Sequence, residues 1–161
     1  MKRPASLLMP LVAAVWLVGC ATAPPPATIA DTAARTPELS TLNRLIADAG
    51  LSDTLRGPGP FTVFAPTDAA FKALPAKTLE ELSKDKDRLK AVLTYHVLPA
   101  KVMAADVKTS NVKTVNGSEV AVSKAGTFVT FDDALVTQAD IGATNGVVHL
   151  IDKVIVPPAR R

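Results

Sequence analysis

Few side chains in this sequence can carry chemistry, and their spacing narrows the kind. Cys20 is the single cysteine, so no disulfide can form within the chain. Its thiol follows Leu17-Val18-Gly19 and an apolar stretch that starts at Ala5, behind Lys2-Arg3. A nucleophile placed there points to chemistry at a leader boundary rather than in a core. The two histidines, His96 and His149, stand far apart, and neither has a second donor at helical or strand spacing. A metal site of the usual tetrahedral kind takes three or four protein ligands, so none is expected. Asp132-Asp133 reads as a turn and Glu80-Glu81 as a solvated helix face, and neither reads as an acid–base pair in a pocket. Gly57-Pro58-Gly59-Pro60 lacks the lysine and following helix of a phosphate loop. No Gly-x-Ser-x-Gly elbow occurs. The expectation is a chain with no catalytic set, no metal and no cofactor.

The elements that must position these residues begin with a leader. The apolar stretch from Ala5 to Trp16 is shorter than the roughly 20 residues that span a bilayer. Residues 1–19 therefore read as a signal peptide. Leu17-Val18-Gly19-Cys20 resembles a bacterial lipobox. That resemblance implies cleavage before Cys20, a diacylglycerol on its thiol and an acyl chain on the new amine. The alternative is an ordinary secretory leader with an incidental cysteine. Ala21, in place of aspartate, implies an outer-membrane destination by analogy with enteric lipoprotein sorting. Residues 20–35, with Pro24-Pro25-Pro26, read as an extended, semi-rigid tether.

The remaining chain has the length of one domain, 36–158. Hydrophobic residues make up 48% and charged residues 20%, which are globular values. Aromatics are only 4%, so aliphatic packing must dominate the core. The formal charge of +3 falls to +1 once Lys2 and Arg3 are set aside with the leader, and the only basic cluster left is Arg160-Arg161. A nucleic-acid partner is not expected.

Thr36-Pro37-Glu38 opens a helix, and Leu39, Leu42, Leu45 and Ile46 form its apolar stripe before Gly50 stops it. Leu51 and Leu55 point inward from a short turn. Phe61-Thr62-Val63-Phe64 predicts a strand covered on both faces. Pro66 ends it, Thr67 or Asp68 caps a following helix, and Phe71 anchors that helix. Leu89, Val92, Leu93 and His96 fall on one face of a helix over 85–96, which makes His96 a core histidine bonded to backbone.

From Pro99 the period changes to two. Asn116-Gly117 predicts a type I′ hairpin between strands 111–115 and 118–122. Strands follow over 127–131 and 134–139, then an extended link over 140–144. Asn145-Gly146 reads as a tight turn into a closing strand that is apolar on both faces and therefore central. His149 interrupts that strand and reads as a structural hydrogen-bonding residue before a ligand. Asp152 is expected to bond backbone N–H groups at a bulge or strand end.

Three stretches carry a resemblance to one family. Phe61-Thr62-Val63-Phe64-Ala65-Pro66-Thr67-Asp68-Ala69-Ala70-Phe71 is similar to the first signature block of the fasciclin (FAS1) domain. Leu93-Thr94-Tyr95-His96-Val97-Leu98-Pro99 is similar to its central Tyr-His motif. The run from Asn145 to Pro157, with Gly146, His149 and Asp152, resembles its closing block. The resemblance implies a single α+β domain, a β-sandwich or wedge with packed helices, in which the two outer blocks form adjacent central strands. It also implies a non-catalytic adhesion or interaction module that meets an envelope or extracellular protein or glycan. Tyr95 and His96 occupy positions implicated in partner binding in some animal relatives. The membrane would be reached through the N-terminal lipid. The competing reading is a periplasmic small-molecule or lipid-binding protein, which requires an apolar cavity near Phe61, Phe71 or Phe128.

Overall fold

The structure is a computed structural model, and it describes residues 27–157. Six helices precede or interleave with seven strands. The helices are α1 (Ile29–Arg35), α2 (Ser40–Asp48), α3 (Ser52–Arg56), α4 (Asp68–Ala73), α5 (Ala76–Lys84) and α6 (Lys86–Tyr95), with a 3-10 turn at Pro37–Leu39. The strands are β1 (Phe61–Pro66), β2 (Val97–Leu98), β3 (Ser110–Lys113), β4 (Glu119–Ala125), β5 (Phe128–Phe131), β6 (Ala134–Ala143) and β7 (Gly146–Ile151). The expected α+β architecture holds. One sheet, ordered β2-β1-β7-β6-β5-β4-β3, curves until its two edges meet. The Val115 N–H, just past β3, donates to the Val97 carbonyl of β2 at 2.8 Å.

β1 and β7 lie side by side as the parallel pair of an otherwise antiparallel sheet, in register from Phe61 opposite Gly146 to Pro66 opposite Ile151. Both strands are buried on both faces, as their mainly apolar character requires. Alternation then divides the core in two. Val63, Ala65, Val148 and Leu150 face the helices, where they meet Leu39, Leu42, Leu89, Val92 and Phe71. Phe64 and Ile151 face the hollow of the sheet, with Tyr95, Leu98, Val120, Val122, Val129 and Phe131.

The structure corrects four local expectations. Residues 27–35 are not extended tether. Thr28 caps α1 through a reciprocal capping box with Asp31, and Ile29, Ala30, Thr32 and Ala33 are buried in the core. The folded domain thus begins at the last residues read as tether. The turn at Asn116-Gly117 is a five-residue loop. Gly117 alone takes positive φ there, at 87°, and Thr114 N–H bonds to Ser118 O. A type I′ turn needs positive φ at both centres, and the Asn116 N–H is instead turned to Thr94 O. The link over 140–144 is strand as far as Ala143, with β6 reaching it through two irregularities in register. Gly146 is a strand residue rather than a turn residue. A Cβ there would run into the Phe61 carbonyl and the Ile29 side chain. Its role is close backbone approach, not positive φ.

Candidate functional site

The chemistry-capable residues divide between the two ends and the hollow of the β1–β7 pair. At the end where these strands begin, Asn145 holds three elements. Its Oδ1 accepts from the Ile29 N–H at 2.9 Å, and its Nδ2 donates to Leu55 O at 2.7 Å and Gly57 O at 2.9 Å. Its backbone carbonyl accepts from Phe61 N–H. Asn145 therefore fastens the start of α1, the end of α3 and the start of β1 at once. The sequence reading gave it only a turn.

At the opposite end Thr67 caps α4, its side chain accepting from Ala70 N–H at 3.4 Å. Asp68 does something else. Its carboxylate accepts from the Ser40 hydroxyl at 2.6 Å and from Thr41 N–H at 2.8 Å, so it caps α2 from another element. Desolvation opposes the charge, but these donors outweigh it and hold the Asp68 carboxyl below its ordinary value. Asp152 behaves as expected. It sits just past β7, where it accepts from Leu135 N–H at 2.8 Å and returns its own N–H to Leu135 O.

The hollow holds both histidines and Tyr95. Phe64 and Phe131 stack at 4.1 Å, with His149 against Phe64 and His96 and Tyr95 against Phe131. His149 Nδ1 accepts from Asp140 N–H, and its Nε2 donates to Val102 O at 2.9 Å. His96 is wired in the opposite sense. Its Nδ1 donates to Val92 O at 2.8 Å, and its Nε2 accepts from Ile155 N–H at 3.2 Å. Backbone partners that can only donate or only accept fix these tautomers. Each ring is neutral and has both nitrogens occupied. Burial pushes the His96 pKa down to about 4 and lowers that of His149 as well. Tyr95 reaches Glu119 O at 3.3 Å, and burial raises its pKa.

Tyr95 is 4% exposed and His96 2%. Neither side chain is at the surface: His96 is the backbone-bonded core histidine that its helical spacing predicts, and Tyr95 is buried beside it, so the partner-binding role that the resemblance implies for the pair has no exposed ring to act through. Phe61, Phe64, Phe71, Pro66, Gly146 and His149 are likewise placed as structural residues of the central pair and its supports. Cys20 and the rest of 1–26 lie outside the described residues, as does Pro158. Two polar positions escaped the sequence reading. Thr62 is fully buried in β1 and holds the segment after β2 through bonds with Ala100 O and Val102 N–H. Asp140, at a φ of 58°, accepts from Ala104 N–H while its own N–H serves His149. The only available signal was a polar residue inside an apolar or alternating strand, each within reach of a strap, the segment after β2, whose N–H groups need acceptors.

An apolar cavity does touch Phe61, lined by Leu42, Leu55, Val63 and Val97 among others, but its volume is about 30 Å³. That is far below the roughly 150 Å³ that accommodates benzene. Phe71 is buried in packing, and Phe128 is 61% exposed on the surface. Among the described residues no group of three or more His, Cys, Asp or Glu is placed to share a metal ion, and no helix is long and apolar enough to cross a membrane.

A parallel pair of signature strands, latched at both ends and wrapped by a curling sheet with helices on one face, defines the fasciclin domain, and the chain belongs to that family. The fasciclin-domain family model matches residues 37–157. Protein sll1483 of Synechocystis is 42% identical over 133 residues, covering 81% of this chain and 74% of its own. The cell surface glycolipoprotein MPB83 of Mycobacterium bovis is 36% identical, covering 82% of this chain and 61% of that protein. The fold is also that of a FAS1 domain pair from the insect cell adhesion molecule fasciclin I, at a TM-score of 0.63 and 24% identity, over 74% of this chain and 46% of that one.

Proposed function

We propose that this protein is a non-catalytic interaction module of the bacterial envelope, anchored through a lipid on Cys20 and displaying its fasciclin domain to a protein or glycan partner. One observation carries the reading: the two histidines and the carboxylates of the signature blocks are already engaged within the fold. Both histidines have both ring nitrogens bonded to backbone, and Asp68 and Asp152 are bonded to their own fold. A buried ring held as these two histidines are is positioned to stabilise, not to exchange protons with a substrate. Family membership supports the same reading, since MPB83 is named a cell surface glycolipoprotein. The small volume of the cavity at Phe61 favours this reading over ligand storage.

Two measurements test it. Globomycin, which blocks the lipoprotein signal peptidase, should accumulate uncut precursor, and unchanged processing would remove the lipid anchor. Cross-linking on intact cells should give discrete adducts of the anchored protein. A small molecule that co-purifies stoichiometrically, with no adduct, would transfer the function to ligand binding.

A further inference from the structure

We infer that the domain stands with one particular end against the membrane, the end built by the 57–60 loop, Lys101 and the 144–145 turn, and that this end meets anionic phospholipid headgroups. The inference rests on the lipid anchor at Cys20. The first ground is where the chain enters the fold. Ala27 is fixed to this end, its carbonyl accepting from both the N–H (2.9 Å) and the hydroxyl of Thr144. Because α1 is docked in the core, seven residue steps separate Cys20 from that attachment. Fully extended they span at most about 25 Å. The tether read from the sequence would have been twice as long and would have left the domain free to turn.

The second ground is charge. Lys101 lines an open cleft of about 350 Å³ with Pro58, Pro60, Thr144 and Asn145. It makes no ion pair among the described residues. The strap that carries it is held rigidly, since Thr62 bonds residues on both sides of it, Ala100 and Val102. Nearby Arg56 pairs with Asp31 at 3.7 Å and Asp53 at 4.0 Å, so with Lys101 this end has two bases against two acids and is balanced, where the opposite end is net acidic. The opposite end carries Glu38, Asp68, Asp132, Asp133 and Asp152 against Lys72 and Lys153. The β1–β7 pair puts about 17 Å between the two ends. An anionic bilayer within tether reach attracts Lys101 and repels the acidic end. That leaves the acidic end facing the envelope space, where a partner would meet it.

The test uses the full-length protein matured in a bacterial envelope and reconstituted into vesicles containing phosphatidylglycerol and a lipid with a nitroxide on its headgroup. Lipidation consumes the Cys20 thiol, so a thiol-reactive fluorophore enters only at an added cysteine. Ala100→Cys and Asp133→Cys place it at the two ends. We expect quenching at position 100 and its loss at position 133. Lys101→Glu in the Ala100→Cys background should reduce the quenching, and replacing phosphatidylglycerol with phosphatidylcholine should do the same. Fluorophore on the otherwise unchanged protein would show a free Cys20 and bring down the anchor and this orientation together. An unlabelled parent with equal quenching at both positions would overturn the orientation alone. Quenching at 100 that ignores both Lys101→Glu and the lipid charge would overturn the headgroup contact.

Discussion

His96 makes the domain acid-sensitive in a pH window of its own. The ring is fully buried and neutral, with Nε2 accepting from the Ile155 N–H. A proton can join it only by breaking that bond and placing a charge among Tyr95 and Phe131. The folded pKa is therefore depressed to about 4, while the unfolded chain titrates near the ordinary value of 6.5. Between these values the unfolded state binds the proton and the folded state does not, so stability is complete above the upper value and falls as pH drops. One histidine costs up to about 1.4 kcal/mol per pH unit inside this window and less at its edges, so going from pH 6.5 to pH 4.5 removes about 2 kcal/mol. His149, also depressed by burial, adds to the loss in the same direction. The carboxylates Asp31 and Asp68 act lower, because their folded values are held below 3.8 and their contribution is lost only as pH falls past that point. Urea denaturation followed by far-ultraviolet circular dichroism, on the unlipidated Cys20→Ser chain, gives stability at each pH. The parent should lose stability steadily from pH 6.5 to 4.5. His96→Gln, less stable at neutral pH, should lose markedly less across the same interval. A parent whose stability is flat between these values, or a His96→Gln variant with the parent's slope, refutes the assignment of a buried neutral ring.

Four further outcomes are expected. Asn145→Ala removes three side-chain hydrogen bonds, one to α1 and two to the end of α3, and should cost about 2–4 kcal/mol at roughly 1 kcal/mol per bond plus the orphaned groups, read by the same denaturation. Gly146→Ala drives a methyl into the Phe61 carbonyl where neither strand can move and should destabilise by about 3 kcal/mol or more, or abolish soluble expression. Asp68→Ala strips the cap from α2 and should cost about 1 kcal/mol. Tyr95→Phe, which gives up only a long bond to Glu119 O, should cost about 1 kcal/mol or less and leave partner cross-linking unchanged; a folded Tyr95→Phe protein that loses its adduct would place the hydroxyl at the partner.

The central strand pair was readable because burial on both faces writes itself as a mainly apolar run, broken only by Thr62 in Phe61–Phe64 and by His149 in Val147–Ile151. The α6 stripe was readable for the matching reason at period 3.6, and it placed His96 in the core. What stayed hidden was set by contacts distant in sequence. Thr28 and Asp31 stand at capping-box spacing, a local signal for a helix start, but that the helix docks in the core depends on Asn145 and Gly146 more than 110 residues away. The cap on α2 was hidden in the same way, because its acceptor belongs to a helix on the far side of β1. The Asn116-Gly117 turn was misread because the Asn116 N–H answers to Thr94 rather than to the hairpin. Propensity describes a residue's own neighbourhood, and these residues obey a different one.

The residues that announce the family are spent on holding its central strands. The first block supplies β1 and the helix-capping Asp68, and the closing block supplies Asn145, Gly146, His149 and Asp152. Each latches a different element to the β1–β7 pair: Asn145 takes α1 and α3, Asp68 takes α2, His149 takes the strap at Val102, and Asp152 takes β6. A sequence can keep every one of these and still be free to change its surface. Tyr95 and His96 fit the same pattern, since their rings fill the hollow and their polar atoms bond backbone. Loss of binding on truncating either ring would therefore report loss of the fold beneath the surface. Under the proposed function, recognition falls to residues that the blocks do not contain, among them the exposed Phe128 and Val115 and the acidic Glu38, Asp132 and Asp133. Two chains with identical blocks can then share this scaffold and bind different partners.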